Sequence, residues 1–251
     1  MLQIRQEQMD VFRKQPRLRF ESEMATYLKR YFPFEAANAD LERWVQTGLD
    51  RAALYGFVTR KESALYLALM AILGAGFQED LQIPWAGKAI SSPNEPSLDR
   101  ITRVYEKAIE YLDAAGGPKC CWFVRAKLRV RKQDMTLFDR GVHPNALAAR
   151  IRELLVRLYP QKAAVVGETA LKQLVKSAIE RADARGTKSA RPTLIDAVHL
   201  YFLGSSYEKD PCYPWTGATL ADPAGGATEN RFDRMHLLST DYLDRSFQFN
   251  G

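Results

Sequence analysis

The feature that most constrains this chain is a stretch written twice. Thr59 to Gly87, TRKESALYLALMAILGAGFQEDLQIPWAG, recurs 130 residues later as Ser189 to Gly217, SARPTLIDAVHLYFLGSSYEKDPCYPWTG. Gly74/Gly204, Phe77/Tyr207, Asp80/Asp210, Pro84/Pro214, Trp85/Trp215 and Gly87/Gly217 fall into register without a gap, and Leu41/Leu171, Val45/Val175, Arg51/Arg181, Ala52/Ala182 and Gly56/Gly186 extend the match. Repeat units of solenoids run roughly 20 to 50 residues, so a repeat of about 110 residues is a duplicated domain. The expected fold is mainly all-α, with two internally duplicated four-helix modules over 1–115 and 142–251 and a short basic, β-like connector over 116–141.

The helical reading rests on spacing. Phe20, Met24, Tyr27, Leu28 and Tyr31 form one stripe of an amphipathic helix that Pro33 closes. Asn38 or Asp40 caps the next, whose inward residues are Leu41, Trp44, Val45, Leu49 and Ala52, and Gly56 suits a left-handed stop. Thr59 with Glu62 has the form of a capping box. The helix it opens is apolar nearly all round from Ala64 to Leu73, which requires neighbours on several sides. A fourth helix runs from Leu98 to Ala114. In the second module Ala146 to Tyr159, closed by Pro160, opens the same plan, and the longer ADPAGGATEN loop shifts the last helix to an offset of 134. The doubled Asp-x-x-x-Pro-Trp-x-Gly is read as a turn capped by Asp with Trp plugging the gap between third and fourth helices. The alternative makes Trp85 or Trp215 a partner-binding anchor, since Trp is enriched at interface hot spots.

One segment departs from the helical period. From Cys121 to Arg131, CWFVRAKLRVR, apolar residues fall on even numbers and Arg125, Lys127, Arg129 and Arg131 on odd ones, the alternation of a strand. Its partner is a short strand over Thr136 to Gly141, a second copy, or another protein's strand. Ala, Lys, Leu and Arg also form helices, so a helix is the competing reading. Trp122 and the four odd-numbered cations are candidate partner-binding residues. With Lys119 and Lys132 they form the one cluster within a net charge of +6.

No phosphate-binding glycine loop or nucleophile motif is present, and His143, His199 and His236 lie too far apart in sequence to suggest a metal site. His199 stands where the first copy has Leu69, the position of a core or interface histidine rather than a catalyst. Cys120, Cys121 and Cys212 have neither disulfide-framework nor zinc spacing. The opening is polar and no apolar run spans a bilayer. The expectation is a non-enzymatic protein of the cytoplasm that needs no cofactor or metal and engages no membrane.

LQIRQEQMDVF, FESEMATYLKRYFP and GLDRAALYGFVTRKESALYLALMAILGAGFQED with PWA resemble the small helical proteins encoded beside spike, adaptor and toxin genes in bacterial type VI secretion clusters. The resemblance covers about the first 115 residues and implies an accessory or co-chaperone role, with an effector toxin, its chaperone or a spike component as partner. Two alternatives stand beside it. A nucleic-acid-binding protein would use the basic connector; an immunity protein would block a toxin one to one.

Overall fold

The computed structural model of the protein describes residues 6–92, 94–139, 144–187 and 189–249. Among these residues the fold is all-α, with no strand. The first half consists of α1 (Gln6–Tyr31), α2 (Pro33–Asn38), α3 (Leu41–Leu54), α4 (Arg60–Leu73), α5 (Pro84–Ile90) and α6 (Ser97–Gly116). Then α7 (Cys121–Lys132) leads into α8 (Pro144–Leu158), α9 (Pro160–Ala184), α10 (Ala190–Leu203), α11 (Pro214–Ala221) and α12 (Thr228–Phe249). The starts of α4 and α10 lie 130 residues apart. So do those of α5 and α11, and of the 3-10 turns Phe77–Glu79 and Tyr207–Lys209.

Local chemistry sets the boundaries. Asp40 accepts the Arg43 amide at 3.1 Å and starts α3. Thr59 and Glu62 form a complete capping box, the Glu62 carboxylate accepting the Thr59 amide at 2.9 Å. Pro33 and Pro160 open helices where closure was expected, because a first-turn proline loses no amide partner. α9 breaks at Gly167, whose φ of 81° divides it into pieces matching α2 and α3. The Pro-Trp segments, expected as loops, are the first turns of α5 and α11.

Two cores result. Trp44, Tyr66, Leu67, Met70 and Phe77 centre the first, and Ile151, Leu155, Leu194, Tyr201 and Phe232 the second. α4 buries Tyr66 to Met70 without interruption, and α10 buries every residue from Pro192 to Tyr201. Cys212 belongs to the first core although its chain segment follows α10.

The β-like connector is corrected to a helix. Trp122, Ala126 and Val130, spaced i, i+4 and i+8, turn toward the second core, with Ala126 and Val130 buried. That stripe is a subset of the even-numbered series, so period two and period 3.6 coincide over three positions, and packing selects the helix. Val124, which a strand would bury, is exposed. The cations lose their common face as well. At about 100° per residue, Arg125 and Arg129 share one side of α7 while Lys127 and Arg131 look elsewhere. The proposed second strand is instead a 3-10 turn over Met135–Phe138. Residues 140–143, His143 among them, lie outside the described residues, as do residues 1–5 of the opening motif.

Gly87 and Gly217 fix how α5 and α11 sit on the preceding turns. A Cβ at either would lie 2.2 Å from a backbone carbonyl oxygen, that of Gln78 or Glu208. Ala normally stabilises a helix over Gly; here overlap with backbone reverses the sign. Gly87→Ala and Gly217→Ala are each expected to lower stability by about 1–3 kcal/mol, read as a lower urea midpoint.

Candidate functional site

The residues that follow α4 and α10 meet each other. Asp210 accepts the Ala75 amide at 2.8 Å and the Cys212 amide at 2.9 Å. Asp80 accepts the Ser205 amide at 3.3 Å, the Ser205 hydroxyl at 3.0 Å and the Gln82 amide at 2.9 Å. Each aspartate thus takes the amide two residues ahead and the amide of residue 75 or 205 in the other half. Gly74 and Gly204, both at φ 94°, turn the chain to present those amides. Burial pushes the Asp210 carboxyl up, and the Ala75 and Cys212 amides oppose it. Gly76 faces Ser206 so closely that a Cβ would lie 2.0 Å from its hydroxyl oxygen.

Two cavities flank this junction. The larger, about 360 Å³, is walled by both halves. Ile72, Leu73 and Leu112 come from one side, and Phe202, Leu203 and Tyr159 from the other. Glu35 and Lys162, the third residues of helical segments opened by Pro33 and Pro160, also line it. The Lys162 ammonium donates to the Tyr201 carbonyl and lies 5.0 Å from the Tyr201 ring centre. Burial brings its pKa down to about 8, against the pull of the Asp80 charge. Gln82, 4% exposed, donates its amide nitrogen to the Leu200 carbonyl at 2.9 Å and to Asp80. Its Oε1 has no hydrogen-bond partner. Burial also raises the Tyr111 hydroxyl above its ordinary value, helped by the charges of Asp80 and Tyr159.

The smaller cavity, about 90 Å³, lies among α7, α10, α11 and α12 and is lined by Lys127, His199, Trp215, His236 and Ser239. The Ile195 carbonyl, 2.7 Å from His199 Nδ1, places the ring proton there. Nε2 therefore accepts from the Ser239 hydroxyl. Burial lowers the His199 pKa to about 4. A general base works best near the operating pH, so this pair is poorly suited to activating a nucleophile. The first half has Leu69 and Tyr105 at the matching positions, both packed against its core. The cavity exists where a serine replaces that tyrosine.

The candidate partner-binding residues are dispersed. Trp85 and Trp215 are partly buried against the first and second cores. Trp122 covers Gly117, where an added Cβ would lie 2.3 Å from the indole. Lys127 sits over the Phe123 ring at 4.6 Å with its pKa lowered by burial. Arg129 donates to the Leu158 carbonyl at 3.2 Å, and Arg131 pairs with Asp244 at 2.7 Å. Arg125 is exposed. Of this set, Trp215 and Lys127 line the smaller of the two cavities. Lys162, Glu35 and Gln82 were not singled out from sequence; the one available signal was the matched pair of prolines two residues before Glu35 and Lys162. Among the described residues no group of three His, Cys, Asp or Glu side chains could hold a metal ion. None of their helices is long and apolar enough to cross a membrane.

No protein-family profile, curated protein or solved structure matches this chain.

His199 gives the second half a pH signature. Between pH 6.5 and about 4 the unfolded chain holds a proton on this residue that the folded chain rejects, so stability rises with pH there. The contribution is complete above pH 6.5 and amounts to about 3 kcal/mol. His199→Leu, which installs the residue found at position 69, is expected to flatten urea midpoints between pH 7 and pH 4. Part of the slope remains, because burial lowers His236 too.

Proposed function

We propose that the chain is a fused pair of related helical modules acting as a non-enzymatic adaptor or co-chaperone in the cytoplasm, its partner an effector toxin, a chaperone or a spike component of a type VI secretion cluster. The observation that carries this reading is an open groove of about 970 Å³ where α1 crosses α3 and α4. Leu18, Phe20, Leu49, Phe57 and Val58 form its apolar lining. Leu18 is 61% exposed, Val58 77%, and neighbouring Leu54 83%. Contiguous apolar surface of this kind marks interaction sites, and a groove between helices suits an amphipathic partner helix.

Arg17, Arg19 and Arg60 stand on the rim. Their carboxylate partners, Glu21, Glu23 and Asp50, form ion pairs with exposed members, and such pairs contribute little. They exchange readily for carboxylates on an arriving helix, so an acidic flank on the partner is favoured, in keeping with the net charge of +6. The nucleic-acid alternative draws less support, because Lys127 and Arg131 are engaged within the fold and only Arg125, Arg129 and Lys132 line one side of α7. An immunity role uses the same kind of surface and differs in its partner.

The test is capture by tagged protein from nuclease-treated lysate. Recovery of a secretion-cluster toxin, chaperone or spike component is expected. The triple variant Leu18→Glu, Leu54→Glu, Val58→Glu should weaken that contact at least about tenfold while circular dichroism stays unchanged. Joint conversion of Arg125, Lys127, Arg129 and Arg131 to Glu should leave it intact. Retention by the first variant, or material lost entirely to nuclease, overturns the reading.

A further inference from the structure

The larger cavity plays no part in the adaptor reading. Its volume of about 360 Å³ falls within the roughly 300–1,000 Å³ of small-molecule sites, which favour domain interfaces and pair apolar walls with a few placed polar groups. Ile72, Leu112, Phe202 and Leu203 supply apolar wall. An ammonium carries three donors, and Lys162 commits one of them, to the Tyr201 carbonyl.

Gln82 is the second, independent observation. Its nitrogen is fixed by the Leu200 carbonyl and Asp80, which leaves Oε1 as the free end of the amide. That oxygen is buried and accepts nothing from the protein. A buried acceptor left bare costs about 1–3 kcal/mol. A donor arriving with a ligand removes that cost. Asp80 cannot take the ligand's donor as readily, since Ser205 and Gln82 already occupy its oxygens.

We propose that the cavity between the two halves binds a small organic acid with an apolar body, its carboxylate held by Lys162 and a hydroxyl donor beside the carboxylate held by Gln82 Oε1. Glu35 and Asp80 line the cavity as well; an apolar amine seated at Lys162 meets like charge, so the comparison of acid with amine reports which of these groups the ligand's polar end faces. An apolar alcohol gains the walls but not the ion pair.

Isothermal titration of the full chain with octanoate, 2-hydroxyoctanoate, octan-1-ol and octylamine tests this without altering the protein. Octanoate is expected to bind at least about tenfold more tightly than the alcohol or the amine, and the 2-hydroxy acid more tightly again. Lys162→Met should bring octanoate down to the level of the alcohol, and Gln82→Leu should erase the preference for the hydroxy acid while leaving octanoate binding. The variant Leu54→Glu, Val58→Glu should bind octanoate as the wild type does. Equal binding of acid, alcohol and amine overturns the proposal. So does no binding by any of the four, or loss of octanoate binding in the groove variant, which moves the site to that groove. If Lys162→Met does not fold, the four-ligand comparison on the wild type decides alone.

Discussion

The carboxylate exchange at the centre of the molecule is the constraint on which the rest depends. A buried carboxylate is tolerated only where hydrogen bonds replace its hydration. Asp80 and Asp210 are 5% and 3% exposed, and each is satisfied partly by its own turn and partly by the opposite one. Neither half completes its turn alone. The left-handed glycines at 74 and 204 follow from this, since they deliver the amides that the aspartates need. The pattern is that of an isologous interface, in which residue i meets residue j and j meets i. Such an interface also brings one position against its own counterpart, which explains the pair Gly76 and Ser206. Two side chains cannot occupy that point, and one of them is absent.

Where the halves differ, function has room to enter. Around the first core, Tyr55, Phe57, Tyr66 and Phe77 pack ring against ring, Tyr55 stacked on Phe57 and Tyr66 and the other pairs tilted. At matching positions the second half places Arg185, Asp196 and Tyr207, and with Arg181 and Glu208 these make a partly buried ion network. Networks of this kind are weak evidence for stability; here the network joins α9, α10 and the turn at Tyr207–Lys209. Both cavities are lined by residues at which the halves differ: His199 and Ser239 stand in the smaller one where the first half has Leu69 and Tyr105, and Glu35 and Lys162 line the larger, so that one wall carries a carboxylate and the other an ammonium.

Much of the architecture was legible because it depends on local chemistry. The caps at Asp40 and Thr59, the glycine stops and the all-round burial of α4 and α10 each follow from a few neighbouring residues. α7 was misread because its alternation is compatible with two periods, and only the second core, absent from the linear sequence, distinguishes them. The Asp-x-x-x-Pro-Trp-x-Gly doublet reads as a turn capped by Asp, which the Asp80 and Asp210 contacts to the amides two residues ahead bear out. That the turn also belongs to the opposite half is a relation between residues about 130 positions apart. The cavity residues were harder still. Lys162 reads as one charge on an amphipathic helix, and Gln82 has no pattern at all; their significance comes from enclosure.

The exchange also bears on how two linked modules would serve an adaptor. Flexible tethering raises avidity through effective concentration, which depends on linker length. Here the halves are joined by buried hydrogen bonds at their centre and by α7, which packs Ala126 and Val130 into the second core. Tyr159 adds a further tie, donating to the Ala115 carbonyl of the first half at 3.0 Å. Surfaces on the two halves are therefore held in one relative orientation. On the adaptor reading, a partner that touches both halves loses little freedom to the adaptor's own ordering, the advantage of preorganisation. On the same reading a partner shaped for any other arrangement would be rejected, and selectivity would come from the geometry of the junction rather than from any single tryptophan or arginine.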